Sequence, residues 1–135
     1  MTQILLVTPE KHMLNDLEPS LSEYKINSQW TDTAKKALAL IAGQKFDTVI
    51  TSELLPDMTG KNLVEAVITV NAMINCVVLS TLSKEDFHEA YEGLGVLMQF
   101  PVKPGKDDIK KLLDHLVRIR RISTPKTRQT GETNP

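Results

Sequence analysis

A single cysteine, Cys76, stands in the 135-residue chain, which excludes an internal disulfide and any cysteine-based zinc cluster. It lies in the apolar run Cys76-Val77-Val78-Leu79 and is expected to be a buried, inert thiol. Net charge is nearly absent too. With 16 basic and 17 acidic side chains the balance is −1, so no overall field draws the protein onto nucleic acid or an anionic membrane, and any partner is expected to recognise a local surface. No apolar stretch approaches the roughly 18 residues of a membrane span. The start, Met1 to Val7, lacks the basic n-region and the length of a signal peptide, which makes the cytoplasm the expected compartment. The histidines His12, His88 and His115 show no ligand spacing such as i and i+4 and read as surface residues, so no metal is expected of them. The loop Thr8-Pro9-Glu10-Lys11-His12 has neither the glycines nor the hydroxyl run that cradles a cofactor phosphate. That argues against a nucleotide-using enzyme, and no cofactor is expected.

What is present is enough apolar material, 41% of the chain, for one domain with its own core. Short β-rich runs alternate with amphipathic segments, the pattern of βα units on a parallel sheet covered on both faces. The strands are expected at Ile4–Val7, Lys25–Trp30, Thr48–Thr51, Cys76–Ser80 and Val96–Phe100, the second alternating as an edge strand does. Helical stripes fall at Leu14, Leu17 and Leu21; at Ala34, Ala37, Leu38 and Ile41; at Leu63, Ala66, Val67 and Val70; at Phe87, Ala90 and Tyr91; and at Ile109, Leu112, Leu113, Leu116 and Ile119. Ser83 reads as an N-cap before Lys84-Glu85-Asp86, and Gly43 as a helix-ending glycine. Pro19 conflicts with its stripe, because proline inside a helix removes a hydrogen bond, so the first helix is expected to kink or end there. The domain is placed at 1–122. The segment 123–135 has no aliphatic or aromatic side chain after Ser123 and is expected to be a disordered polar tail.

The stretch FDTVITSELLPDMTG at Phe46 to Gly60 resembles the third strand and following loop of bacterial response-regulator receiver domains. Asp47, Pro56 and Gly60 keep their places, while Ser52 occupies the position of the phospho-accepting aspartate. Phe100-Pro101-Val102-Lys103-Pro104 resembles the end of the family's fifth strand. There Phe100 matches the switch aromatic and Lys103 the phosphate-sensing lysine, followed by Pro104 across a bond that is usually cis. Ser80 falls on the hydroxyl residue that ordinarily bonds the phosphoryl oxygen. The end of the first strand departs from the pattern: Thr8 and Pro9 stand where the family has the acidic pair that holds magnesium. The likeness runs from about Gln3 to Arg121. It implies an α/β, flavodoxin-like, doubly wound fold of three layers, with a five-stranded parallel sheet in the order 2-1-3-4-5.

The departures decide the chemistry that the resemblance would imply. Aspartyl phosphorylation needs a carboxylate nucleophile and a divalent ion, and magnesium needs hard, mostly anionic oxygen ligands. Thr8, Pro9 and Ser52 supply no carboxylate, and Lys103 leaves the pocket positive. No magnesium site and no catalytic residue is therefore expected. Glu10, Glu53 and Asp57 lie nearby in sequence but read as surface acids, with Glu53 turned away by strand alternation. Lys103 is expected to pair with a nearby acid or with water. Trp30 is expected to pack at an edge strand's end, and Arg118, Arg120, Arg121, Lys126 and Arg128 to be a solvated helix end. The resulting expectation is a stand-alone pseudo-receiver, not an enzyme, that binds a signalling protein through the fourth helix, fifth strand and fifth helix, with room for a homodimer. An alternative is a small-anion or metabolite sensor built from Lys103, Ser80 and Thr8.

Overall fold

The computed structural model describes residues 2–123, and their side chains as far as residue 117. Five parallel strands, β1 (Gln3–Val7), β2 (Asn27–Thr31), β3 (Thr48–Ser52), β4 (Asn75–Leu79) and β5 (Met98–Phe100), form one sheet in the order β2-β1-β3-β4-β5. The helices are α1 (Leu17–Glu23), α2 (Ala34–Gly43), α3 (Gly60–Val70), α4 (Lys84–Ala90) and α5 (Lys106–Ser123). This is the doubly wound, flavodoxin-like arrangement. Strand alternation divides the core in two. Leu5, Val7, Val49, Cys76 and Val78 face α2, α3 and α4, whereas Ile4, Leu6, Ile50, Val77, Leu79 and Phe100 face α1 and α5. Cys76 is buried as expected, and burial pushes its thiol up to about 11.

The amino end of the sheet is tied by Asp47, whose carboxylate accepts the Gln3 N–H at 2.7 Å while its carbonyl accepts the Asn75 N–H at 3.0 Å. Ser83 caps α4 by accepting the Asp86 N–H at 3.1 Å, as the sequence suggests.

Several local expectations change. The first helical segment is a 3-10 turn, Lys11–Leu14, followed by α1 from Leu17. Pro19 therefore sits in the first turn of α1, the third residue of a helix that begins at Leu17, where a backbone N–H has no intrahelical acceptor to lose, so the proline is accommodated and does not end the helix. Val70 is 58% exposed because α3 ends at it, and Val64 takes a buried place in that stripe instead. Gly43 is the last residue of α2 without a left-handed conformation; extended Gln44 ends the helix. The left-handed turn belongs to Lys25 (φ 58), where Ile26 N–H reaches back to the Leu21 carbonyl at 2.9 Å. The Lys103–Pro104 bond is trans, as are all peptide bonds among the described residues. Ser123 closes α5. Residues 124–135, with the expected tail and the cations Lys126 and Arg128, lie outside the described residues, as do the side chains of Arg118, Ile119, Arg120 and Arg121.

Candidate functional site

Parallel strands bring their carboxyl ends to one edge of the sheet, and Thr8, Pro9, Ser52, Ser80, Phe100 and Lys103 lie at or just beyond those ends. On the first strand's side the buried hydroxyl is engaged both as donor and as acceptor. Thr8, one step beyond the Val7–Thr51 pairing, is completely buried. Its hydroxyl donates to the Glu10 carbonyl at 2.9 Å and accepts the indole N–H of Trp30 at 2.9 Å. Lys11 Nζ lies 5.8 Å from the Trp30 ring centroid, within cation–π range. Pro9 and Glu10 are exposed, and Glu10 meets His12 in an exposed pair at 3.4 Å.

The third strand's side differs. Ser52 is 5% exposed, yet its Oγ has no hydrogen-bond partner. Its backbone is pressed against α3: a Cβ added to Gly60 would overlap the Ser52 carbonyl oxygen, which is why a glycine opens that helix. Glu53 points to the opposite face of the sheet, as alternation requires, and its Oε2 accepts the Tyr91 hydroxyl at 2.9 Å. Asp57 reaches across the loop to α2, accepting the N–H groups of Ala34 (2.9 Å) and Lys35 (2.8 Å). Those two bonds, Ala34 first, hold its carboxyl below the usual aspartate range.

At the fourth strand Ser80 is buried, and its Oγ accepts the Leu82 N–H at 3.0 Å. Gln99 braces the same loop, donating to the carbonyls of Ser80 (3.3 Å) and Leu82 (2.8 Å). Phe100 is turned inward, 1% exposed, among Leu79, Ile109 and Leu112. Lys103 is exposed and makes no hydrogen bond or ion pair among the described residues, so the acid expected beside it is not there. Beside this edge lies an open groove of about 830 Å³ between α4 and β5, lined by Phe87, His88, Tyr91, Met98, Gln99 and Lys111 among others.

Sequence reasoning missed three contacts here. Trp30 on Thr8 was within reach, because the strand order puts the ends of β2 and β1 side by side. The bonds of Asp57 and Tyr91 join residues 23 and 38 positions apart across loops, and no local pattern announces them. Among the described residues no three His, Cys, Asp or Glu side chains cluster as metal ligands would. No helix among them is long and apolar enough to cross a membrane.

No family model matches the chain, and no curated protein does. Solved structures do match. The chain is 20% identical to the signal receiver domain of an HD domain-containing protein from Pseudomonas fluorescens Pf-5, covering 90% of each chain with a TM-score of 0.77. It is 17% identical to a two-component response regulator from Clostridium difficile, over 92% of this chain and 100% of that one, TM-score 0.79. It is 25% identical to the non-phosphorylated HemR receiver domain from Leptospira biflexa, over 96% and 100%, TM-score 0.69. The chain has the receiver-domain fold. Its structural neighbours are receiver domains of two-component response regulators.

Proposed function

We propose that this receiver-like chain is a pseudo-receiver: a signalling module that works by binding another protein, without aspartyl phosphorylation and without catalysing a reaction. The observation that carries this reading is the state of Thr8. The family's magnesium would be held at the ends of the first and third strands, and the residues present do not fit it. The Thr8 hydroxyl is already used in both directions, towards Glu10 and from Trp30, Pro9 offers no side-chain donor, and Ser52 offers a neutral hydroxyl. A divalent ion asks for hard anionic oxygens, and the unpaired ammonium of Lys103 adds charge of the wrong sign. Nor does Ser52 have a base hydrogen-bonded to it, since its Oγ makes no hydrogen bond among the described residues. Glu53 and Asp57 are committed elsewhere, to Tyr91 and to α2.

The face offered to a signalling partner, or to a second copy of the chain, is α4, β5 and α5, where the groove exposes apolar and charged side chains together. The balanced charge argues for a protein partner over nucleic acid, and a cytoplasmic setting suits such a module. Incubation with a small phosphodonor and magnesium, followed by intact-mass measurement, tests the loss. No mass gain is expected, and Ser52→Asp alone should not restore it, because Thr8 and Pro9 remain. Stoichiometric phosphorylation of the wild-type chain refutes the reading. Capture of partners from the native cell, compared between wild type and Met98→Arg, tests the face.

One observation favours a second reading, an anion or metabolite sensor: Ser52 Oγ and Lys103 Nζ both lack partners at the same edge of the sheet. A specific ligand at a hundred times its Kd would add about 2.7 kcal/mol of stability. A thermal-shift series with inorganic phosphate and carboxylic acids that leaves Tm unmoved removes this reading.

A further inference from the structure

The β3–α3 loop is bound at both of its sides. Glu53 and Gly60 close its base, with the Gly60 N–H on the Glu53 carbonyl at 2.7 Å, and Leu55 N–H meets the Met58 carbonyl at 3.0 Å within it. Leu54 and Thr59 bridge across it. From this closed loop Asp57 grips the first turn of α2 and Glu53 accepts the hydroxyl of Tyr91, the residue that ends α4. A run of hydrogen bonds thus leads from α2, through the loop after Ser52, to the far end of α4.

α4 needs such an anchor. It has seven residues, fewer than the roughly 12–15 an isolated helix needs to hold itself together, and Phe87 is its one buried side chain. Beyond it the chain passes through Gly93 and Gly95, both with positive φ (83 and 70), on its way to β5. Tyr91, 7% exposed, packs on Phe87 with ring centroids 4.6 Å apart, and both rings line the groove. Where Tyr91 sits therefore decides the shape of the groove wall. Burial, and then the bond to Glu53, raise the Tyr91 titration far above neutral pH, so the hydroxyl remains a donor throughout the physiological range.

We propose that Glu53 is the positioning residue of the α4 groove: by holding the Tyr91 hydroxyl it sets the groove's apolar wall, and movement of the β3–α3 loop is transmitted through it to that face. This rests on the groove as the docking face, and it names what controls it. The residue next to the position of the lost acceptor thereby links the emptied site to the face offered to partners.

Amide hydrogen exchange of the full chain, read by NMR, tests the link without any partner. Tyr91→Phe and Glu53→Ala should each speed exchange of the Phe87 and Tyr91 amides about tenfold, the equivalent of one hydrogen bond to a charged acceptor. Amides of β1 and β3 should stay at wild-type rates. Glu53→Gln, which keeps an acceptor oxygen, should remain near wild type, and the double variant Tyr91→Phe/Glu53→Ala should exchange no faster than either single one. Asp57→Asn, which loosens the same loop at α2, should also speed α4 exchange, by a smaller factor. The proposal is overturned by α4 exchange that stays at wild-type rates, by a rise shared equally with β1 and β3, by additive single variants, by a Gln variant as loose as the Ala one, or by no effect of Asp57→Asn. Failure of the docking reading shows separately, as partner capture that Met98→Arg leaves intact.

Discussion

The β1 side and the β3 side of the candidate site treat their buried hydroxyls in opposite ways. At the end of β1 the buried hydroxyl is engaged in both directions: Thr8 gives its proton to Glu10 and receives one from Trp30, with Lys11 against the ring. At the end of β3, one strand away, Ser52 is nearly as deeply buried and its hydroxyl meets nothing. Under the proposed pseudo-receiver reading, the end of β1 serves as a structural contact while the end of β3 carries an unsatisfied hydroxyl.

The largest expected effect comes from the backbone beneath Ser52. Gly60→Ala puts a methyl group into the Ser52 carbonyl and should cost about 3 kcal/mol in urea unfolding, since backbone and not a flexible side chain must give way. A variant as stable as wild type would mean that the close approach of α3 to β3 is wrong. Thr8→Val comes next. It keeps the shape, removes the acceptor of Trp30 and leaves a part-buried indole N–H without its partner, so a loss of about 1 kcal/mol is expected. Ser52→Ala should go the other way, stabilising the protein by about 1 kcal/mol, because it deletes a buried hydroxyl that has no partner. Opposite signs for these two substitutions at adjacent strand ends would sharpen the contrast, and equal losses would break it.

The smallest effect is at Asp57. Its folded pKa lies below the ordinary value, so its contribution is fully present above the ordinary aspartate range, around pH 4, and fades as pH falls through the lowered folded value. Asp57→Asn should therefore lower Tm slightly at neutral pH, and the difference from wild type should shrink in acid. A difference that grew on acidification would contradict the cap on α2.

The βα alternation and its covered parallel sheet could be read from Ile4 to Val7, Thr48 to Thr51 and Cys76 to Ser80, because short apolar runs alternating with helical stripes have few folds open to them, whereas the strand order came from the resemblance to receiver domains. The site's location was legible for a similar reason: Ser52, Ser80 and Lys103 sit at strand ends, and parallel strands collect those ends at one edge. What stayed hidden was the meaning of residues whose partners are distant in sequence. Pro19 reads as a helix breaker until Leu17 is seen to start the helix, and Val70 fits the buried stripe of α3 until the helix ends on it. Asp57 looks like a loop acid, and only the packing of α2 beside α3 shows it to be a cap. Periodicity reports which face a residue is on, but not what stands opposite.

Magnesium binding, followed through the emission of Trp30, reaches the central claim most directly. This tryptophan is the chain's only one and donates to the very hydroxyl that a metal at the end of β1 would need. The account predicts emission that stays flat through a magnesium titration at constant ionic strength, with no heat of binding by calorimetry. A saturable change in emission, matched by one-to-one binding heat, would contradict it.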